Sequence, residues 1–182
     1  MTASIRVLAE DDVAAVVEFA VRAWKPVFDS FAQVMGPDIY PLVYPDWKAG
    51  QARAVEAACR ADGHQVWVAE AGGKPVGFAV VAIGAEAKSG EIDMIAVDPD
   101  HQNDGIGLEL LRFAIDRIAE QGILLVEIWT GGDPGHAPAR HIYEKAGFTP
   151  LPLVHYYKAV SAKPASDKAV SAKPVNDKVR TG

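Results

Sequence analysis

The sequence lacks the features that mark a secreted, disulfide-bonded or membrane-spanning protein. Cys59 is its only cysteine, which leaves no partner for a disulfide within the chain. Its longest apolar runs, residues 76–83 and 123–126, are too short or too interrupted by glycine to cross about 30 Å of hydrocarbon. The first six residues contain no charged region followed by an apolar stretch, as a secretory signal would. We therefore expect a cytoplasmic protein that spans no membrane.

Charge is distributed unevenly along the chain. The net charge is −6, but residues 158–182 hold six of the eighteen Lys and Arg residues and only two of the twenty-four Asp and Glu residues. Residues 1–157 therefore hold twelve basic and twenty-two acidic residues, a net charge of −10. An acidic body disfavours a phosphate backbone, so we expect the folded domain to bind no nucleic acid. This negative charge mildly favours cationic substrates, although most of the acidic residues are explained by a solvated surface that keeps the protein in solution.

The length and the 49% hydrophobic content suit a single domain with one core. Residues 5–8 are typical of a short strand, and apolar residues recur at helical spacing across residues 13–24. An irregular stretch is predicted next from three prolines, Pro37, Pro41 and Pro45. Residues 46–62 then predict a second helix, which ends at Gly63. Two helices are thus expected before most of the sheet.

Strand-forming sequence follows the two helices. Residues 66–71 and 76–83 are rich in β-branched residues and are joined by a glycine turn at residues 72–74, which predicts a hairpin. Residues 91–97 predict the next strand. The hairpin and this strand favour antiparallel pairing.

The second half of the chain predicts alternating helices and strands. Residues 106–118 carry an apolar stripe at helical spacing, and residues 124–129 are typical of a buried strand. Residues 138–146 predict a helix, and Phe148 with residues 153–158 predicts the final strand. The order predicts an α+β fold, with a mainly antiparallel mixed sheet that contains one parallel, right-handed β-α-β unit.

The C-terminal residues differ in kind from the rest. Residues 158–167 are nearly duplicated by residues 168–177, a low-complexity pattern with few groups able to build a core. We therefore expect a folded domain at residues 1–158 and a disordered tail at residues 159–182. Its lysines could contact nucleic acid or an acidic partner, but passive solvation explains them more simply.

The segment most informative about chemistry is residues 91–107, where a strand leads through a turn into a helix. Gln102, Gly105 and Gly107 fit the pattern Q/R-x-x-G-x-G/A. Glycines at a helix start let backbone N–H groups approach a diphosphate, and the helix dipole favours its negative charge. The pattern predicts a pyrophosphate site, and the alternative is a tight turn capped by Asp104.

Two other phosphate-binding motifs do not fit. Leu110 stands where a dinucleotide fingerprint has its third glycine, and no GK[ST] motif occurs. A second motif supports a different class: the helix at residues 138–146 and its flanks contain an A-x-x-x-Y-E-K-x-G-F pattern. Its members are Ala139, Tyr143, Glu144, Lys145, Gly147 and Phe148.

Together, the two motifs resemble the GCN5-related N-acetyltransferase (GNAT) superfamily. The resemblance covers about residues 3–158, and its specific motifs lie between residues 91 and 148. It implies six to seven strands flanked by four helices, acetyl-CoA as cosubstrate, and an amine acceptor that is a small molecule or a peptide. It also implies that residues 95–97 hold the pantetheine and that residues 102–108 hold the phosphates. The cofactor-binding residues so implied are Ile95, Ala96, Val97, Gln102, Asn103, Asp104, Gly105, Ile106, Gly107, Leu108, His136 and Ala139.

Two of these residues depart from the family pattern. His136 stands where relatives usually have asparagine, seven residues before the tyrosine, and we still expect it to contact the cofactor. Asp104 stands where relatives are commonly basic or neutral. Its carboxylate would repel a nearby phosphate, so we expect Asp104→Asn to tighten acetyl-CoA binding.

The reaction requires a base, because an alkyl amine is almost wholly protonated at pH 7. By resemblance, Glu91 is the first candidate, and Asp93 lies two residues further along the same strand. Tyr143 is the candidate acid for the departing thiolate. Alternatively, Glu91 and Asp93 are ordinary solvent-facing carboxylates of a strand, and Tyr143 is an aromatic residue packed in the core.

Several further possibilities stay open at this point. His101, His136, His141 and His155 show no metal-ligand spacing with Cys59, so we expect no metal. A segment rich in aromatic residues either shapes the acceptor site or packs in the core: Trp24, Phe28, Phe31, Tyr40, Tyr44 and Trp47. The alternatives to a small-amine enzyme are a protein N-terminal or lysine acetyltransferase, a non-catalytic acyl-CoA-binding module and an interaction protein. A homodimer is possible.

Overall fold

The structure is a computed structural model that describes residues 3–84 and 88–161. The predicted tail at residues 159–182 lies outside the described part, apart from its first three residues. In chain order the strands and helices are β1 (Ser4–Val7), α1 (Val13–Val43), α2 (Trp47–Arg60), β2 (His64–Ala71), β3 (Lys74–Ala82), β4 (Ser89–Val97), α3 (Ile106–Ala119), β5 (Leu125–Glu127) and α4 (Ala137–Lys145).

The strands form one mixed sheet in the order β1-β2-β3-β4-β5. The first four strands pair antiparallel, and β4 pairs with β5 in parallel through the α3 crossover. Gly72 and Gly73 have φ values of 59° and 76°, which a two-residue hairpin turn of this hand requires. The predicted α+β fold with one parallel unit is confirmed, but the described residues contain five strands instead of six or seven.

The end of the chain differs from the sequence prediction. Of the predicted strand at residues 124–129, only Leu125–Glu127 forms, and Leu124 is 99% exposed. Residues 148–161 form neither helix nor strand, so the predicted final strand is wrong for the described structure. Strand propensity acts only where a neighbouring strand and a core face are available. Pro150 and Pro152 also remove two N–H donors from this segment.

The proline-rich stretch after Trp24 is helical, which corrects the prediction of irregular chain. Helix α1 continues to Val43 and is broken only at Gly36, which has φ 71° and ψ 178°. Pro37 follows this break directly and opens a second helical segment, a position where a missing N–H costs no hydrogen bond. Asp46 then caps α2, as its side chain accepts a hydrogen bond from the Ala49 N–H at 3.2 Å.

Helices cover both faces of the sheet. On one face, α1 and α2 pack on β2 and β3 through a buried cluster that includes Phe19, Val55 and Phe78. On the other face, α3 packs through Leu111 and Ile118. None of the described helices is both long enough and apolar enough to cross a membrane.

Candidate active site

A cleft opens where the two parallel strands part. β4 and β5 pair only from Ser89↔Leu125 to Glu91↔Glu127, and beyond this point neither strand has the other as a neighbour. Residues 92–97 of β4 form one wall of the cleft and residues 128–130 form the opposite wall. The cavity has a volume of about 570 Å³, which is large enough for an extended small molecule.

The β4 wall contains a β-bulge. Val80 of β3 pairs with Met94 and Val81 pairs with Ile92, so Asp93 is an extra residue without a partner in β3. The N–H and C=O groups on the β5 side of residues 92–97 are free of strand pairing. The predicted pantetheine-binding residues Ile95, Ala96 and Val97 all lie on this wall.

The turn between β4 and α3 forms one end of the cleft. Gly105 has φ 85° and Asn103 has φ 70°, a left-handed conformation that glycine adopts without strain. The Gln102 side-chain amide donates to the Val97 carbonyl at 3.2 Å, which ties the turn to the strand. Six of the predicted phosphate-binding residues line the cleft: Gln102, Asn103, Gly105, Ile106, Gly107 and Leu108.

Not all predicted donors in this turn are equally available. The Leu108 N–H already donates to the Gly105 carbonyl at 3.1 Å, whereas the Ile106 and Gly107 amides are in the first turn of α3, where no intrahelical acceptor exists. Asp104 is exposed and is not part of the cleft wall. The amides of Ile106 and Gly107 are therefore the donors best placed for an anion.

Helix α4 places Tyr143 against the cleft. Ala139 and Tyr143 are four residues apart, so they share a face of the helix, and both line the cleft. The Tyr143 ring packs beside Phe148, with ring centroids 6.2 Å apart. Burial raises the pKa of Tyr143 to about 12. Its phenol therefore keeps its proton at neutral pH and can act as a hydrogen-bond donor.

The two carboxylates predicted as bases lie in different places. Asp93 lines the same cleft as Tyr143, with an exposed side chain. Glu91 lines a separate cavity of about 320 Å³, together with Glu127 and residues at the start of β2. The bulge at Asp93 breaks the alternation that would have placed both side chains on one face.

His136 lines the cleft, as expected of a cofactor contact, but it also has a partner that the sequence did not predict. Its Nδ1 atom lies 2.5 Å from Asp133 Oδ1, and the Gly135 N–H donates to Asp133 Oδ2 at 2.9 Å. The signal available in the sequence was the spacing D-x-x-H directly before α4, which brings both side chains together in a tight turn.

Helix α1 also contributes to the cleft, and sequence reasoning identified only Trp24 there. Residues 22–27 line the cleft. Pro26, within this stretch of α1, has no N–H and so cannot donate the helical hydrogen bond to the Arg22 carbonyl. Beyond them, the other aromatic residues form a packed cluster in which Phe28 stacks on Trp47 at 4.4 Å and Phe31 stacks on Tyr44 at 5.5 Å. Phe31 also lies 5.5 Å from the His136 ring. The aromatic residues thus pack together and Trp24 lines the cleft, while a role of this segment in shaping the acceptor site stays a prediction.

Fold and site define a class of protein in which a split mixed sheet presents an open strand edge, a helix N-terminus and a tyrosine to one ligand. The comparisons with known proteins agree. A family model described as the Acetyltransferase (GNAT) family matches residues 28–148. The chain belongs to the GNAT acetyltransferase family.

Relatives within this family differ in what they act on. A mycothiol acetyltransferase from Beutenbergia cavernae is 38% identical over 72 residues, which is 40% of this chain and 24% of that protein. The [ribosomal protein bS18]-alanine N-acetyltransferase from Escherichia coli is 31% identical over 85 residues, 47% of this chain and 55% of that protein. The chain thus spans about a quarter and about half of the lengths of these relatives.

A solved structure shows the same fold. The PaiA N-acetyltransferase from Thermoplasma acidophilum, solved in complex with coenzyme A, superposes with a TM-score of 0.60. It is 20% identical, and the match covers 82% of this chain and 91% of that one. At this identity the likeness concerns the fold alone.

Proposed function

We propose that the protein is an N-acetyltransferase that transfers an acetyl group from acetyl-CoA to a primary amine by direct attack in a ternary complex. The observation that carries the proposal is the cleft itself. One cavity brings together the unpaired edge of β4, the N-terminus of α3 and Tyr143. Each of these features suits a different part of an acetylated CoA.

The donors in the cleft fit acetyl-CoA. The free edge of residues 92–97 can pair with the amides of a pantetheine arm as an added strand would. Ile106 and Gly107 offer N–H groups and the positive end of the α3 dipole to the diphosphate. Bound acetyl-CoA supplies an activated thioester, and these residues orient it toward Tyr143.

The residues of the cleft have separate tasks in the proposed reaction. Backbone N–H groups near the bulge at Asp93 donate hydrogen bonds to the carbonyl oxygen and stabilise the negative charge that develops on it. Tyr143 holds a proton on its Oη atom and donates it to the departing sulfur. Of the two carboxylates predicted as bases, Asp93 is the one on the cleft wall.

The acceptor is a small-molecule amine or a peptide amine, and a protein N-terminus or lysine is the second candidate. One named relative is a mycothiol acetyltransferase and another modifies a ribosomal protein, so both acceptor classes occur in this family. The cytoplasmic location and the homodimer stay predictions from the sequence.

Three measurements test the proposal. Calorimetry should detect acetyl-CoA binding to the purified protein, and a panel of small amines, amino sugars and peptides should include one that causes release of free CoA thiol. Mass spectrometry of the product should show one added acetyl group. Binding without thiol release for any amine would favour a non-catalytic acyl-CoA-binding module. No affinity for any CoA ester at saturating ligand would refute the function.

A further inference from the structure

The loop between β5 and α4 holds an imidazole and a carboxylate as a pair beside the cleft. The side chains of His136 and Asp133 are 15% and 8% exposed, and their Nδ1 and Oδ1 atoms are 2.5 Å apart. We propose that His136 is the catalytic base that removes the proton of the acceptor amine, and that Asp133 positions it. The proposal rests on the acetyltransferase function proposed above.

Contacts with α1 fix the loop that carries the pair. The Gly135 N–H donates to Ser30 Oγ at 3.0 Å as well as to Asp133 Oδ2. A Cβ atom at Gly135 would lie 2.8 Å from the Pro26 carbonyl oxygen and from the Val27 Cα. The loop therefore packs directly on the backbone of α1, and glycine is required at this position.

Helix α4 and a second glycine hold the pair from the other side. The Arg140 guanidinium donates to the Gly131 carbonyl at 2.5 Å and to the Asp133 carbonyl at 2.9 Å. A Cβ atom at Gly131 would overlap both Asp133 Oδ1 and the His136 ring. Glycine at residue 131 thus leaves room for the hydrogen-bonded pair of His136 and Asp133, which any side chain at this position would disrupt.

The partners of Asp133 decide which imidazole nitrogen is free. Burial raises the pKa of Asp133, but its contacts with Ser30, His136 and the Gly135 N–H together outweigh burial, so the net shift is downward. The side chain is therefore a carboxylate, which only accepts hydrogen bonds. His136 Nδ1 must carry a hydrogen toward it, and in the neutral ring Nε2 keeps the lone pair.

The position of the ring suits the removal of a proton from the acceptor. His136 and Tyr143 line the same cleft. Tyr143 follows His136 by seven residues, which is about two turns of helix and places both residues on the same side of α4. Nε2 takes one proton from the ammonium form of the acceptor, and the freed lone pair then forms a bond to the thioester carbonyl carbon. The C–S bond breaks, its electron pair leaves with sulfur, and sulfur takes the proton from Tyr143. The acetylated nitrogen then gives its extra proton to the Tyr143 oxygen, and the imidazolium releases its proton to water.

Asp93 is the rival base on the cleft wall. The Asp93 side chain is exposed, whereas His136 is largely buried and held by its hydrogen bond with Asp133. A fixed base is better placed to act at one point along a reaction path. The comparison of the two residues is therefore the central part of the test.

The test compares the wild type with His136→Gln, His136→Asn, Asp133→Asn and Asp93→Asn. His155→Gln is the matched control, because His155 is exposed and is not part of the cleft wall. The measurements are acetyl-CoA affinity by calorimetry, thermal melting, and kcat from CoA release between pH 6 and 9. The amine is the acceptor found in the panel.

Both His136 variants should bind acetyl-CoA within about twofold of the wild type and lose about a hundredfold or more in kcat. Asparagine is informative because it can hydrogen-bond at this position but cannot take a proton. Asp133→Asn should lower kcat by about tenfold or more at unchanged acetyl-CoA affinity, because the wrong nitrogen would face the cleft. In the wild type, kcat should fall toward acidic pH as the imidazole gains a proton, and the His136 variants should lack this fall.

The wild type and the His136 variants share the other titratable and charged groups near the pair and along the cleft. These groups are Lys25, Tyr44, Asp93, Arg140, His141 and Tyr143. A fall in kcat that only the wild type shows therefore reports His136. The inference is overturned if His136→Gln keeps its kcat, if only its acetyl-CoA affinity falls, or if Asp93→Asn alone removes the acidic fall. A wild type that neither binds acetyl-CoA nor releases CoA would instead refute the underlying function.

Discussion

Tyr143 can be tested by removing a single oxygen atom. Tyr143→Phe keeps the ring that packs beside Phe148 and removes the hydroxyl whose raised pKa keeps it protonated. We expect unchanged acetyl-CoA affinity and a turnover number lower by about a hundredfold or more. Tyr156→Phe is the control, since Tyr156 is 85% exposed and is not part of the cleft wall. Normal turnover of Tyr143→Phe would remove this residue from the mechanism.

Asp104 allows a test of the electrostatics at the phosphate end. It lies directly before Gly105, beside the cleft but outside its wall, and its exposed carboxylate would repel bound phosphates. We expect Asp104→Asn to tighten acetyl-CoA binding by about two- to fivefold at low salt, and less at high salt because of screening. Asp116→Asn, near the other end of α3, should leave the affinity unchanged in the same calorimetric titration. Weaker binding of Asp104→Asn would place the phosphates elsewhere.

Elements differed in how far the sequence could predict them. The β4–α3 turn was predictable because its conformation depends on local residues such as Gly105. The length of β5 was not, because Leu124 and Leu125 have strand propensity but remain exposed, and propensity cannot say where a partner strand ends. The same holds for Asp133, whose contact with Ser30 joins residues more than a hundred positions apart.

The packing of α3 on the sheet depends on a glycine. A Cβ atom at Gly90 in β4 would lie 2.6 Å from Ile118 Cγ2, and Ile118 is fully buried. We expect Gly90→Ala to lower the free energy of unfolding by about 1 to 3 kcal/mol, because the core must shift. Gly50→Ala is the control in α2, where a Cβ meets nothing within 4 Å, and it should stabilise the helix by about 0.5 to 1 kcal/mol. Denaturant unfolding measures both, and equal stability of the two variants would contradict close packing.

The connection between β1 and α1 should give the protein part of its acid sensitivity. Asp12 lies 2.5 Å from the Arg6 guanidinium and accepts the Ala9 N–H at 2.8 Å, and the ion pair with Arg6 lowers its pKa. A carboxyl with a lowered folded-state pKa stabilises the fold above its unfolded pKa of about 4, and this contribution is lost as the pH falls further. We expect Asp12→Asn to cost about 1 to 2 kcal/mol at pH 7 and to flatten the fall in stability below about pH 4. An unchanged pH profile of unfolding would contradict this.

At the scale of the whole molecule, the cleft contrasts with the acidic body. Residues 1–157 have a net charge of −10, yet Arg22, Lys25 and Lys145 all line the cleft. Two of these cations are paired: Arg22 with Asp98, which joins α1 to the residue directly after β4, and Lys25 with Asp29 within α1. Three of the twelve basic residues of this acidic body therefore lie on the surface that would face CoA phosphates.

Ligand binding should stabilise the entire domain, and the residues beyond 161 should not be needed for it. Among the residues that the structure describes, those that line the cleft lie between Arg22 and Lys145. Acetyl-CoA at a hundred times its Kd should raise the free energy of unfolding by about 2.7 kcal/mol, because it binds only the folded state. A chain ending at residue 161 should show the same increase in denaturant unfolding. A smaller increase in the shortened chain, with the Kd measured independently, would mean that residues 162–182 contribute to the ligand site.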